Sequence, residues 1–255
     1  MKAMILAAGL GTRLRPLTDD RPKALVTVGG RTLLELALSR LRSFGVSEAI
    51  VNTHHCPEMI LEYLKAHDNF GMRIEVSREE VLLDTGGGLK KAAPFFLEAG
   101  GSLQEPFILH NVDVISTVDL GRMVRFHLEH NALATLAVQD RAASRYLLFD
   151  EHGQLCGRRT GRGANAENDE AELVRSAPDA QALAFCGIHV LSPHIFAKME
   201  EVGAFSIIAA YIRLAAQGEK IVAFRADDCY WRDLGRPENV MQAAQDLVSG
   251  AYCVT

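Results

Sequence analysis

The chain contains no apolar run that approaches the roughly 20 residues of a membrane span. It has no block of basic residues either. Lys and Arg total 27 against 32 Asp and Glu, for a net charge of −5, so nucleic acid and acidic membrane surfaces are poor partners for it. The five cysteines, Cys56, Cys156, Cys186, Cys229 and Cys253, show no paired spacing. That excludes a disulfide frame and a zinc site, and it predicts free or buried thiols in a reducing cytoplasm. Two phosphate-loop signatures are also missing. No Gly-Lys-Ser/Thr follows a glycine at Walker spacing, and Leu14 stands where a dinucleotide fingerprint would place its third glycine.

What is present begins at the N-terminus. The apolar run Met4-Ile5-Leu6-Ala7-Ala8 breaks into Gly9 and Gly11, then Thr12 and Arg13, with Arg15 and Lys23 close behind. Such a run predicts a buried parallel strand feeding a tight loop, rather than a signal peptide. Glycines let backbone amides approach a ligand, and fixed cations around them suit phosphate. Taken alone, Gly9 and Gly11 are equally compatible with an ordinary strand-to-loop turn.

Strand and helix signals then alternate over the 255 residues, 48% of them hydrophobic, enough for one large α/β domain. Thr32 and Glu35 are spaced as a capping box before Leu34, Ala37, Leu38 and Leu41, and Gly45 closes that helix. Ala49 to Asn52 is a strand, Ile60, Tyr63 and Leu64 mark a helix, and Arg73 to Ser77 forms an edge strand. This is the rhythm of a doubly wound, mostly parallel sheet, which binds ligands at the carboxyl ends of its strands. The Gly9 loop, residues Asn52 to His55 and Asp113 are thereby predicted to share one rim. His54 and His55, adjacent on a strand, point to opposite faces and suit packing better than a shared metal ion.

Further along, Asp84-Thr85-Gly86-Gly87-Gly88 predicts a glycine loop before a short helix. Phe107 to Asp113 is an apolar strand ending in a carboxylate, and Asp119 caps the helix that follows, whose face is Leu120, Met123, Val124, His127 and Leu128. Tyr146 to Asp150 and Leu155 to Arg158 form a β-hairpin. Residues 159–176 carry almost no large apolar side chains and are expected to form a flexible loop or a lid. Gly187 interrupts a buried strand, which suggests close approach by backbone or ligand. Pro237 opens a final helix whose buried face is Val240, Met241, Ala244 and Leu247.

The string Leu6-Ala7-Ala8-Gly9-Leu10-Gly11-Thr12-Arg13-Leu14-Arg15-Pro16-Leu17-Thr18, followed by Arg21-Pro22-Lys23-Ala24-Leu25, resembles the signature of sugar-1-phosphate nucleotidyltransferases. The later string Trp231-Arg232-Asp233-Leu234-Gly235-Arg236-Pro237 resembles that family's second metal motif. The likeness covers nearly the whole chain. It implies a Rossmann-like nucleotide-diphospho-sugar transferase fold in one domain, with a nucleotide-binding half at 1–140, a sugar-phosphate-binding half at 141–255, and a small β-hairpin region in the latter. It implies binding of the nucleotide at Leu6, Ala7, Ala8, Gly9, Gly11, Thr12 and Arg13, with the base read near Thr85 and Gly86. Lys23, Asn111 and Gly187 would face the sugar phosphate. Asp113 and Asp233 would be the metal-binding carboxylates, and Arg13, Lys23, Asp113 and Asp233 the catalytic set. Two departures stand out. Val112 replaces the glycine that related enzymes carry before the metal-binding aspartate, and residues 159–176 lack a Glu-Lys motif, leaving Glu172 or Arg175 to stand in.

The activity so implied joins a nucleoside triphosphate, UTP or GTP, to a sugar 1-phosphate and releases pyrophosphate. Mg²⁺ is the expected cofactor, because it takes oxygen ligands and bridges phosphates. The partners are the two small substrates, and the chain is expected to be a monomer or a homodimer. A glycosyltransferase of related fold is one alternative, although Asp113-Val114-Ile115 lacks the Asp-x-Asp pair usual in those enzymes. A catalytically inactive, nucleotide-sugar-sensing regulatory subunit is the other.

Overall fold

A computed structural model of the chain describes residues 1–98, 104–161 and 170–252. The opening apolar run forms β1 (Lys2–Leu6). A short ribbon of β2 (Thr27–Val28) and β3 (Arg31–Thr32) leads into α1 (Leu33–Ser43). The Thr32 hydroxyl accepts the Glu35 amide at 3.0 Å, and Gly45 closes the helix at φ +82°, where a side chain would be strained. Then come β4 (Glu48–Thr53), α2 (Pro57–Ala66), β5 (Arg73–Arg78), α3 (Asp84–Lys91) and α4 (Ala93–Phe96). The strand that carries the carboxylate is β6 (Phe107–Asn111). It is followed by β7 (Val114–Ser116), α5 (Leu120–Glu129) and β8 (Ala134–Gln139). The second half contributes β9 (Arg145–Phe149), β10 (Leu155–Thr160), β11 (Glu170–Leu173), β12 (Gln181–Leu191), α6 (Ile207–Ala216), β13 (Ile221–Arg225), β14 (Trp231–Asp233) and α7 (Pro237–Ser249).

Among the described residues these strands build a ten-stranded sheet in the order β11-β10-β9-β12-β6-β1-β4-β5, with β8 beside β12 and β13 beside β8. The expected parallel block is β6, β1, β4 and β5. Its register sets Leu6 beside both Asn52 and Asn111, so the three strand ends finish at one level. The sheet turns antiparallel at β12, which pairs with β6 through Ile188 to Leu191 and with β9 through Gln181 to Leu183. Between those runs sits Gly187, at φ +72°. The pairing of β12 with β8 also loses register between Phe185 and His189, and this glycine sits at that break.

Helices cover the two faces and split the core into two clusters, one under α1 and α7 and the other under α3 and α6. Three local expectations change on contact with the fold. The triad Gly86-Gly87-Gly88 lies inside α3, not in a loop before it. Propensity opposes that, but packing overrides it. A Cβ on Gly86 would stand 2.3 Å from the Phe205 ring, and one on Gly87 2.4 Å from the Gly203 carbonyl oxygen. Leu128 and Met241 are half or more exposed, so α5 and α7 bury narrower stripes than their apolar spacing suggests. Residues 159–176 are not structureless throughout. Arg159 and Thr160 end β10, which pairs antiparallel with β11 through backbone bonds and an Arg158–Glu172 ion pair of 2.6 Å. Such an edge pair needs few apolar side chains. The centre of that segment, 162–169, falls outside the described residues.

Three histidines are fully enclosed: His110, His127 and His189. His127 shares a hydrogen bond of 2.9 Å with the Thr135 hydroxyl, and His189 one of 2.8 Å with the Tyr211 hydroxyl. Burial pushes their pKa values down, to about 4 for His110 and His127 and about 3 for His189, from 6.5. The unfolded chain therefore takes up these protons first. Their contribution to stability is whole above 6.5 and is lost as the pH falls toward 4. The expected result is a fall in unfolding free energy of roughly 1 kcal/mol per pH unit per histidine across that window. Denaturant midpoints measured at constant ionic strength check it. The His127→Gln variant should show a shallower slope, and a flat wild-type profile would contradict the account.

Candidate active site

The loop after β1 is anchored from beneath. The Ala7 amide donates to Asn52 Oδ1 at 2.7 Å, Asn52 Nδ2 donates to Glu79 Oε1 at 2.7 Å, and Glu79 Oε2 accepts the Leu83 amide at 2.9 Å. Asn52 and Glu79 are both buried. This relay ties the glycine loop to the segment that enters α3. Gly88 leaves room for it, since a Cβ there would stand 2.7 Å from both Asn52 Nδ2 and Glu79 Oε1. Gly88→Ala should therefore cost about 1–3 kcal/mol of stability by overpacking. It should also raise the nucleotide KM more than the KM of the second substrate. Equal changes in the two KM values would disconnect the relay from the loop.

Gly11 is the glycine of the loop that needs its freedom. Its φ is +64°, and a Cβ on it would lie 2.9 Å from Thr18 Cγ2 and 3.1 Å from Lys23 Cβ. Its carbonyl oxygen accepts the Thr18 hydroxyl at 2.9 Å. A Cβ on Gly9 would meet nothing within 4 Å. Thr12 and Arg13 are exposed on the turn that follows. The loop thus folds back so that Lys23 reaches Asp113, with which it forms an ion pair.

Asp113 is buried just past the end of β6. Val112 does not crowd it. The Val112 side chain belongs to the core cluster, and its amide continues the ladder to the Leu6 carbonyl at 3.2 Å. The second carboxylate arrives by strand pairing: β14 runs antiparallel to β7, with Asp233 opposite Val114, and the Leu234 amide donates to the Asp113 carbonyl at 2.7 Å. Beyond β14 the chain turns at Gly235, whose amide donates to Asp233 Oδ1 at 2.6 Å. The space beside Gly235 is where the site converges. From the position of a Cβ there, Asp233 Oδ1 is 2.7 Å away, Arg13 Nη2 3.1 Å and Asp113 Oδ2 3.5 Å. Four residues from three distant stretches, Arg13, Lys23, Asp113 and Asp233, therefore meet at one point.

Asn111 and Gly187 meet at the same rim, since a Cβ on Gly187 would stand 2.9 Å from Asn111 Nδ2. Thr85 and Gly86 sit apart from them, against α6. The Gly86 amide donates to the Phe205 carbonyl at 2.9 Å, and the Thr85 hydroxyl accepts the Ile207 amide at 2.9 Å. Glu172 and Arg175 are engaged elsewhere, Arg175 with Asp150 at 3.1 Å, so neither supplies the missing Glu-Lys motif from its present position. His54 is engaged with backbone, its Nδ1 donating to the Glu79 carbonyl oxygen at 2.8 Å. Among the described residues no three His, Cys, Asp or Glu side chains cluster as a ready-made metal cage. Sequence reading missed Glu79, which carries no local motif, and Arg141, which stacks on Trp231.

The nucleotidyl transferase family model matches residues 2–250. The chain belongs to that family. As a nucleotidyl transferase it is an enzyme, and the resemblance to sugar-1-phosphate nucleotidyltransferases holds. The match sets aside the glycosyltransferase alternative. N-acetylmuramate alpha-1-phosphate uridylyltransferase of Caulobacter vibrioides is 34% identical over 248 residues, 96% of each chain. Mannose-1-phosphate guanylyltransferase of Mycobacterium tuberculosis is 29% identical, over 97% of this nucleotidyl transferase and 65% of that protein. Among solved structures, HddC from Yersinia pseudotuberculosis superposes with a TM-score of 0.74 at 22% identity, over 96% of this chain and 99% of that one, which supports the fold. No described helix is long and apolar enough to cross a membrane.

Proposed function

We propose that this nucleotidyl transferase moves a nucleoside monophosphate from UTP or GTP onto a sugar 1-phosphate. The observation that carries the reading is the convergence of Arg13, Asp113 and Asp233 beside Gly235, with Lys23 on Asp113. The full-length likeness to a uridylyltransferase acting on N-acetylmuramate 1-phosphate favours UTP and an amino-sugar acceptor. A cytoplasmic setting goes with such substrates, and the described cysteines are all free thiols, as it requires.

In this reading a phosphate oxygen of the sugar 1-phosphate attacks the α-phosphorus of the triphosphate. The bond from that phosphorus to the bridging oxygen breaks, and pyrophosphate leaves with the electron pair. The attacking oxygen is already ionised near neutral pH, so the protein supplies no general base. Its work is to align two anions and offset their repulsion. The amides of Ala8, Gly9 and Gly11 cradle the nucleotide. Arg13 forms no ion pair among the described residues and is available to the departing phosphates. Lys23, beside Asp113, bridges the α-phosphate and the incoming phosphate. The donor set fits Mg²⁺, which is bound in proteins by one or two carboxylates together with substrate phosphates, and Asp113 and Asp233 present oxygens at one place. When bound, Mg²⁺ would neutralise phosphate charge.

The test is pyrophosphate release over a grid of UTP, GTP, CTP, ATP and dTTP against several sugar 1-phosphates. One active combination that needs Mg²⁺ is expected. Tight triphosphate binding with a blank grid would point instead to a sensing subunit.

A further inference from the structure

Arg141 follows β8 and belongs to no motif, yet it is firmly held. Its guanidinium carbon lies 3.6 Å from the centre of the Trp231 ring, and Nη2 donates to the Phe185 carbonyl at 2.9 Å. Trp231 is fixed in turn, because its indole N–H donates to the Cys186 carbonyl at 2.7 Å. Residues alternate along a strand, so Trp231 and Asp233 share one face of β14 while Arg232 turns to the other, where it pairs with Asp246 at 2.7 Å. The stacked guanidinium is therefore on the Asp233 side. It is half-buried, its Nε has neither solvent nor a hydrogen-bond partner, and none of the described carboxylates pairs with it. Burial lowers its pKa, opposed by the nearby Cys186 thiol and Asp233.

A desolvated cation is ordinarily paired. A guanidinium stacked on an aromatic ring, with one donor spent on a backbone carbonyl and no carboxylate partner, can bind an oxyanion through the donors that remain. The triphosphate is served from the β1 side by the glycine loop and Arg13. Arg141 is held instead at β12, by the Phe185 carbonyl, two residues before Gly187, which lies against Asn111. We propose that Arg141 binds the phosphate group of the sugar 1-phosphate. This rests on the reading of the site as a sugar-1-phosphate nucleotidyltransferase.

Two measurements separate the failure of this inference from the failure of that reading. In pyrophosphate assays with the active pair of substrates, Arg141→Met should raise the KM for the sugar 1-phosphate at least tenfold. The KM for the nucleotide should stay within about twofold, and Arg141→Lys should recover part of the loss. An unchanged sugar-phosphate KM, or an equal rise in both KM values, would overturn the assignment. The second measurement needs no turnover. Trp231 is the single tryptophan of the chain, so emission reports on the surface that Arg141 covers. N-acetylmuramate 1-phosphate or mannose 1-phosphate should change that emission in the wild type, and N-acetylmuramate without its phosphate should not. Arg141→Met should weaken the response at least tenfold. If the wild type releases no pyrophosphate but shows this response, the catalytic reading falls and Arg141 stands. If no sugar 1-phosphate alters the emission, or the unphosphorylated sugar does so equally, Arg141 is not a phosphate receptor.

Discussion

Asp113→Asn should lower the rate of pyrophosphate release about a thousandfold, equivalent to ~4 kcal/mol of transition-state stabilisation. The substitution keeps the shape of the side chain and an oxygen for Lys23, so the fold should hold. The Asp113 carbonyl, which accepts the Leu234 amide at 2.7 Å and ties β14 to the end of β6, is untouched. What is lost is the negative charge with which, in the proposed site, Asp113 and Asp233 together would hold a divalent cation against two anionic substrates. The effect should therefore be in kcat and in the Mg²⁺ concentration needed for half-activity. UTP binding measured without metal should be unchanged or tighter, since a charge that repels phosphate has gone. Asp233→Asn should behave in the same direction. A rate within tenfold of wild type for Asp113→Asn, with an unchanged Mg²⁺ requirement, would remove Asp113 from the metal site and with it the proposed arrangement.

The positions of these two carboxylates were legible in the sequence because each sits where a simple rule puts it. Asp113 ends an apolar run, and the ends of parallel strands form the ligand rim. Asp233 stands before a glycine turn and a proline that opens a helix. Their convergence was an inference from resemblance, and the structure supplies its physical cause: the short β7–β14 ribbon. The relay through Asn52 and Glu79 was not legible as a whole. Asn52 was placed on the rim, but its partner lies 27 residues away and is chosen by tertiary packing alone. Arg141 escaped for a similar reason. Its proposed role depends on an aromatic ring delivered by a strand 90 residues later, and no spacing rule connects the two. The glycines of α3 misled in the opposite way. A run of three glycines argues locally for a loop, whereas here the missing Cβ atoms let the helix lie against Phe205, Gly203 and the Asn52–Glu79 pair. Helix faces were predicted in phase but too wide, since periodicity places the centre of a buried stripe and says little about its margins, where Leu128 and Met241 lie.

Gly235→Ala should be the most damaging single methyl in the chain for activity relative to its effect on stability. The residue lies beside the convergence point, and the added carbon would stand 2.7 Å from Asp233 Oδ1, 3.1 Å from Arg13 Nη2 and 3.5 Å from Asp113 Oδ2. The first of these is closer than van der Waals contact allows, and Asp233 cannot simply swing away, because its Oδ1 already accepts the Gly235 amide at 2.6 Å. Either the carboxylate rotates and loses that bond, or the turn opens and shifts both Asp233 and the start of α7. Both outcomes displace a carboxylate of the proposed metal site by a fraction of an ångström to an ångström. Displacements of that size cost about a hundredfold where alignment is the main source of catalysis. The backbone itself should tolerate alanine, since Gly235 is not among the positive-φ glycines. The thermal midpoint should therefore move by only a few degrees, as expected for about 1 kcal/mol in a chain of this size. Rate and stability should separate cleanly. A variant that lost activity only in proportion to a large fall in midpoint would mean that Gly235 serves the turn alone. A variant that kept full activity would mean that Arg13, Asp113 and Asp233 do not act together at this point.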